Sequence, residues 1–200
     1  MSIRIRAAVT VAAAATAVLA STTLGAPIAA AAPPAPIPAL DLERYAGTWQ
    51  QLAAIPQYFN LICARDTRAE YSKDAQGDIA VHNTCLTWTG ALNEIRGTAT
   101  VNDPSTNAQL HVSFPGVPTQ ESRYGATNYI VTALGPDYSW ALVTDPDRLS
   151  GFVLSRTPSL DAAQWQDVRE AIAAAGENSC VYLTTPATGG LDAIAPLCTI

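Results

Sequence analysis

"LERYAGTWQQLAAIP", residues 42–56, sets a tryptophan two positions after a glycine, at the head of a short run that leads to a proline. Glycine weakens the interior of a strand. Gly47 therefore reads as the entry to a strand, and Trp49 as a large side chain fixed at one end of it. The stretches that follow have the same length and rhythm. From Thr48 to Arg156 the chain breaks about every 10 to 20 residues, at Pro56, Asp74 to Gly77, Gly90, Asp103-Pro104, Pro115 to Pro118, Gly135-Pro136 and Asp145-Pro146. Between the breaks the hydrophobic period is two. "DIAVHNTC" (78–85) puts Ile79, Val81, Asn83 and Cys85 on one face. "AQLHVSF" (108–114) groups Leu110, Val112 and Phe114, with Gln109, His111 and Ser113 opposite. "NYIVTAL", "SWALVT" and "GFVLSR" follow. Eight short strands joined by hairpin-length connections result. Such a series closes most readily as an antiparallel up-and-down barrel, because closure leaves no bare edge.

The period changes once, in "SLDAAQWQDVREAIAAAG" (159–176). Ser159 is a candidate N-cap, and Asp161 suits the first turn of a helix. Trp165, Val168 and Ile172 share a face, and Gly176 is a stop. The expectation is one C-terminal α-helix against the outside of the barrel, then a short ninth strand in "CVYLTT" (180–185) and a tail loop pinned by Cys198.

The first 31 residues stand apart. Arg4 and Arg6 precede the apolar run Ala7 to Ala20, and Ala29-Ala30-Ala31 offers a small-x-small cleavage site. This is the pattern of a secretory signal, shorter than a membrane span of ~20 residues. Residues 32–40 then form a Pro/Ala-rich lead and residues 41–200 one domain. Losing both leader arginines takes the net charge from −6 to −8. An acidic surface argues against nucleic acid as a partner. The four cysteines, Cys63, Cys85, Cys180 and Cys198, are an even number in an exported chain and suggest two disulfides. The expected location is secreted or cell-envelope. No cysteine stands near the cleavage site to carry a lipid.

The segments "LERYAGTWQQLAAIP", "AEYS", "GDIAVHNTC", "DYSWALVTDPDR" and "GFVLSRTPSLD" together resemble, in order over residues 42–172, the lipocalin family and its bacterial lipocalin and apolipoprotein D branch. The resemblance implies an eight-stranded barrel closed at one end, with a small apolar ligand inside. It implies that Trp49 plugs the closed end while Arg156 packs across its ring. Gly47 then lets the chain pass close beneath that ring, and Thr144-Asp145 lies on a neighbouring closed-end loop, where Pro146 departs from the family's commonest pattern. The positions matching ligand-lining residues are Tyr71, Asn83, Phe114, Tyr129 and Phe152. Val81, Leu110, Val112, Val131 and Leu154 are their neighbours on the same face. This set is apolar with three polar handles, a usual recipe for a small-molecule site. Tyr58, Phe59, Leu61 and Ile62 form an apolar cluster in the first loop, expected at the barrel entrance and suited to transient contact with a membrane.

An enzyme is the weaker reading. His82 and His111 alternate with inward residues and should face away from the pocket, and no cluster has metal spacing. No cofactor is called for. The remaining alternatives are an exported structural or partner-binding barrel filled by its own side chains, and a lipocalin-type enzyme with Cys85 as a free nucleophile.

The disulfides have two readings. Cys63 and Cys85 flank one hairpin, about three residues out of ideal register, so a direct bond needs a bulge to bring the Cα atoms within ~4.4–6.8 Å. The resemblance instead implies Cys63 tied to Cys198, leaving Cys85 for Cys180. Because Cys85 shares the inward face of Asn83, geometry favours Cys63–Cys85 with Cys180–Cys198. N-terminal sequencing of exported material should read from Ala32; a start at Met1 in an integral-membrane fraction would refute the leader.

Overall fold

The alternating runs form strands wherever the period of two was read. The computed structural model describes residues 32–200, so the leader lies outside the described residues. A short helix, α1 (Leu42–Tyr45), precedes β1 (Gly47–Ala54). Then come β2 (Cys63–Lys73), β3 (Ile79–Thr87), β4 (Leu92–Val101), β5 (Gln109–Ser113), β6 (Tyr129–Leu134), β7 (Trp140–Thr144) and β8 (Gly151–Ser155). Each pairs antiparallel with its successor, and β1 pairs with both β8 and β2, which closes an eight-stranded barrel.

The seam between β1 and β2 is only half zipped. Gly47 to Gln50 pair with Tyr71 to Arg68. Beyond that point β1 turns to a ninth strand, β9 (Leu183–Thr184), through Ala53 and Ala54. The C-terminal segment also ties the freed part of β2: Asp66 donates its amide to the Pro186 carbonyl (2.9 Å) and accepts the Thr188 amide on its carboxylate (2.7 Å). Only two residues of "CVYLTT" are strand, because Ser179–Val181 winds into a 3-10 turn.

The helix α2 (Ala162–Ala174) buries Trp165, Val168 and Ile172 against Leu52, Leu142 and Val153 on the outer face of the barrel. Its N-cap is Asp161, not Ser159. Asp161 accepts the Gln164 amide (2.9 Å), and the Gln164 side chain accepts the Asp161 amide (3.0 Å), a reciprocal capping box. Gly176, at φ +78, ends the helix in a left-handed turn.

The closed end is held by Arg156. Its guanidinium lies 3.6 Å from the centroid of the fully buried Trp49 ring. It donates to three backbone carbonyls, Thr48 (2.9 Å), Arg44 (2.7 Å) and Ala46 (3.0 Å). Trp49 Nε1 in turn donates to the Tyr45 carbonyl (2.8 Å). Gly47 has a different role from the one expected. Its φ of +90 is the requirement, and a Cβ there would meet the Arg156 guanidinium rather than the tryptophan ring.

Thr144-Asp145 sits at the other end of the barrel. Trp140 pairs with Ser155 beside Arg156, whereas Thr144 pairs with Gly151, so the β7–β8 connection is at the open end. Asp145 organises that loop by accepting the amides of Asp147, Leu149 and Ser150. The closed-end loop is Gly135–Ser139. There Tyr138 accepts the Asp41 amide (3.0 Å), and Arg44 stacks over the Tyr138 ring (4.3 Å).

Both disulfides join near neighbours, Cys63 to Cys85 and Cys180 to Cys198. Two register shifts in β2, with Asp66 at φ +54, bring Cys63 opposite Thr87 and its Cα within 5.5 Å of that of Cys85. A non-reducing peptide map should therefore yield a fragment joining Cys63 to Cys85; one joining Cys63 to Cys198 would contradict the fold described. In urea denaturation, Trp49→Ala should lower stability by ~3–5 kcal/mol, as truncation of a buried aromatic does. Arg156→Ala should cost about 2 kcal/mol through the lost ring contact and carbonyl bonds. Wild-type midpoints for both variants would refute the plug.

Candidate functional site

An eight-stranded barrel has an interior just wide enough to be filled by side chains or to hold one small molecule. Here the interior holds a cavity of about 360 Å³. That is within the usual range of ~300–1,000 Å³ for ligand pockets. Tyr71, Val81 and Asn83 line it from β2 and β3, and Leu110 and Val112 from β5. Phe114 follows β5 onto the wall, Tyr129 comes from β6, and Phe152 and Leu154 from β8. Val131 is not on the lining. It is fully buried in the packed cluster with Trp49, Ala141 and Val143 and fills the barrel instead of facing the space.

Several lining residues were not anticipated. Ile95 and Ala99 of β4 belong to the same alternation, in "LNEIRGTATV", and were legible there. Val117 and Gln120 come from the β5–β6 loop, which has no period to read. Tyr45 comes from α1, outside every strand pattern, and enters the barrel from below beside Trp49, with ring centroids 5.0 Å apart.

Tyr45 completes a cluster of three hydroxyls at the deep end. Tyr129 Oη lies 2.7 Å from Tyr45 Oη and 3.2 Å from Tyr71 Oη. The Tyr45 and Tyr71 rings stack at 5.6 Å. Burial holds all three phenols protonated. It pushes Tyr71 up to about 12 and raises Tyr45 and Tyr129 well above their ordinary value, with mutual repulsion of the phenolates adding to the last two. Higher on the wall, the Asn83 amide oxygen is buried without a hydrogen-bond partner.

The mouth is formed by Gln57, Tyr58, Phe59 and Asn60 with Asp145 and Ser150. Tyr58 to Ile62 is a 3-10 turn, and Tyr58 and Leu61 are 69% and 75% exposed. Trp88 joins this apolar rim, donating its indole N–H to the Leu61 carbonyl (2.8 Å). Gly97 shapes the wall from inside. A Cβ there would lie 2.6 Å from the Phe114 ring, so the glycine lets that ring rest flat against β4.

Neither histidine lines the cavity. His82 pairs with Glu94 (2.7 Å) on the exterior, and this hydrogen bond holds the Glu94 carboxyl below its usual range. His111 is buried on the outer face beneath the β5–β6 loop, its ring nitrogens 2.7 and 3.0 Å from the carbonyls of Ala126 and Ser122. Cys85 lines the cavity but is bonded to Cys63. Among the described residues there is no group of three or more His, Cys, Asp or Glu side chains placed to hold a metal ion.

Comparison with known proteins agrees with this geometry. Temperature-induced lipocalin-1 of Arabidopsis thaliana is 35% identical over 133 residues, covering 66% of this chain and 70% of that protein. Outer membrane lipoprotein Blc of Escherichia coli K12 is 32% identical over 120 residues, covering 60% and 64%. Among solved structures, the cockroach allergen Per a 4 superposes with a TM-score of 0.56 over 74% of this chain and 89% of its own, at 20% identity, and so shares the fold. The model of the lipocalin-like domain matches residues 40–186. The chain belongs to the lipocalin family.

Proposed function

We propose that this chain is an exported carrier that holds one small apolar ligand, such as a lipid or fatty acid, inside its barrel. The observation that carries the reading is the cavity. Its walls are aromatic and branched aliphatic side chains, and its polar groups are few and fixed. Apolar area then supplies affinity and the tyrosines and Asn83 supply orientation. An interior packed shut by its own side chains, as a purely structural barrel requires, leaves no such space.

The similarity to a bacterial outer membrane lipoprotein and to apolipoprotein D of Mus musculus favours that branch of the family and a place outside the cytoplasm. The exposed rim of Tyr58, Phe59, Leu61 and Ile62 would let the mouth touch a bilayer while a ligand passes.

Titration with N-phenyl-1-naphthylamine should show one saturable site with enhanced probe fluorescence. Phe114→Ala or Phe152→Ala should change its Kd by about threefold to tenfold, the range expected for loss of part of a ring contact. The fold should remain. A chain that binds no apolar probe, or prefers a polar competitor, would overturn the carrier reading.

A further inference from the structure

The three hydroxyls at the cavity floor can be counted. Each tyrosine has one O–H to donate. The cluster contains two oxygen–oxygen contacts, Tyr45 with Tyr129 and Tyr71 with Tyr129. Each contact consumes one proton, so three protons serve two bonds and one is left over. The result does not depend on the wiring. If Tyr45 donates to Tyr129 and Tyr129 to Tyr71, the free proton is on Tyr71. The reverse chain leaves it on Tyr45. If both outer tyrosines donate inward, it is on Tyr129. All three residues line the cavity.

We propose that this cluster is a subsite for the neutral carbonyl oxygen of a ligand, of the quinone or cyclic ketone class, which enters the barrel carbonyl end first. The proposal rests on the carrier reading above and specifies what the cavity selects. A buried donor without a partner is costly, and an acceptor oxygen at the leading end of the ligand removes that cost. The acceptor has to be uncharged. A buried carboxylate needs a cation beside it. Among the described residues, Arg68 is the cation on the cavity lining, and it stands three positions from Tyr71 along β2, toward the mouth and hydrogen-bonded through Nε to Gln50 (3.0 Å), so it is not beside the hydroxyls. Arg156 is not on the lining, and it donates to three backbone carbonyls. The phenols stay protonated through the ordinary pH range because burial raises all three. Phe114 and Phe152 add aromatic wall to the same cavity, which suits a ring system.

The test uses 2-methyl-1,4-naphthoquinone and 2-methylnaphthalene, which share a skeleton and differ in the carbonyls. Both compete against bound N-phenyl-1-naphthylamine on the whole chain. No free cysteine among the described residues is available to react with the quinone. The quinone should bind at least about tenfold more tightly than the hydrocarbon, as one satisfied buried hydrogen bond allows. The quinone is also the better solvated in water, which works against this result. Because removing one outer hydroxyl still leaves a spare proton, single variants should keep the preference. The triple variant Tyr45→Phe, Tyr71→Phe, Tyr129→Phe should lose it while still binding the hydrocarbon. An infrared measurement on the unaltered protein covers the case in which the triple variant fails to fold. The carbonyl stretch of bound quinone should lie below its value in hexane. If the probe binds but the quinone competes no better than the hydrocarbon, and its band is unshifted, the subsite is wrong and the carrier reading stands. If no apolar probe binds, both fall.

Discussion

The contact between Arg156 and Trp49 is the constraint on which the rest of the barrel depends. A barrel has two ends, and something has to shut one of them for a cavity to form. A tryptophan ring alone would close the end sterically. It holds the incoming chain only at the Tyr45 carbonyl, through its indole N–H, and leaves the neighbouring carbonyls at the end of so short a helix without a partner. Arg156 does both with one group. Its planar guanidinium covers the ring and spends its donors on the carbonyls of Arg44, Ala46 and Thr48. A lysine, with a compact ammonium, could not stack and reach three acceptors in the same way. The arginine follows the last strand of the barrel and the tryptophan is in the first, so the contact also fixes β8 beside β1 at the point of closure.

The opposite end is built on a different principle. There β1 leaves β2 after Gln50, and the two edges are satisfied separately, one by β9 and the other by Pro186 and Thr188. The bulges in β2 and the Cys63–Cys85 bridge belong to the same adjustment. They set the free half of the strand against β3, with Cys63 opposite Thr87 and bonded to Cys85. The closed end is thus held by packed aromatic groups, and the open end by loops, a bridge and a tail.

Much of this was legible in the sequence for a physical reason. Period two marks which side chains face in. Nine of the ten residues assigned to the interior site do line the cavity, and Val131 alone packs into the barrel below it. The alternation says that a side chain points inward and says nothing of how far down the barrel it lies. Thr144-Asp145 is a different case. The motif resemblance puts it on a closed-end loop, and the pairing of Thr144 with Gly151 shows that its loop is at the open end. Tyr45 was missed because no strand carries it. It is the last residue of the short helix ahead of Gly47, and its buried ring packs beside Trp49, a placement that no strand period marks. The N-cap was one short step from the correct reading, with Asp161 and Gln164 three apart in the capping-box spacing.

The existence of the cavity is itself a matter of small residues. Eight strands enclose little more volume than their own inward side chains occupy. Space survives only where the inward positions are short. Ala69 and Ala99 supply two such positions on the lining. Gly97 supplies a third, in a more demanding way. Its missing Cβ is the volume into which the Phe114 ring folds, so a large aromatic side chain lies along the wall rather than across the lumen. Any side chain at residue 97 would push that ring inward and would also press on the Ser113 carbonyl across the sheet. The bulky groups are gathered at the bottom, where Trp49, Tyr45 and Val131 form the plug. A filled floor is thereby divided from an open chamber whose bulky phenylalanines lie on its walls. The tyrosine hydroxyls sit at that boundary, where a polar group is too deep for bulk water and still within reach of whatever the chamber holds.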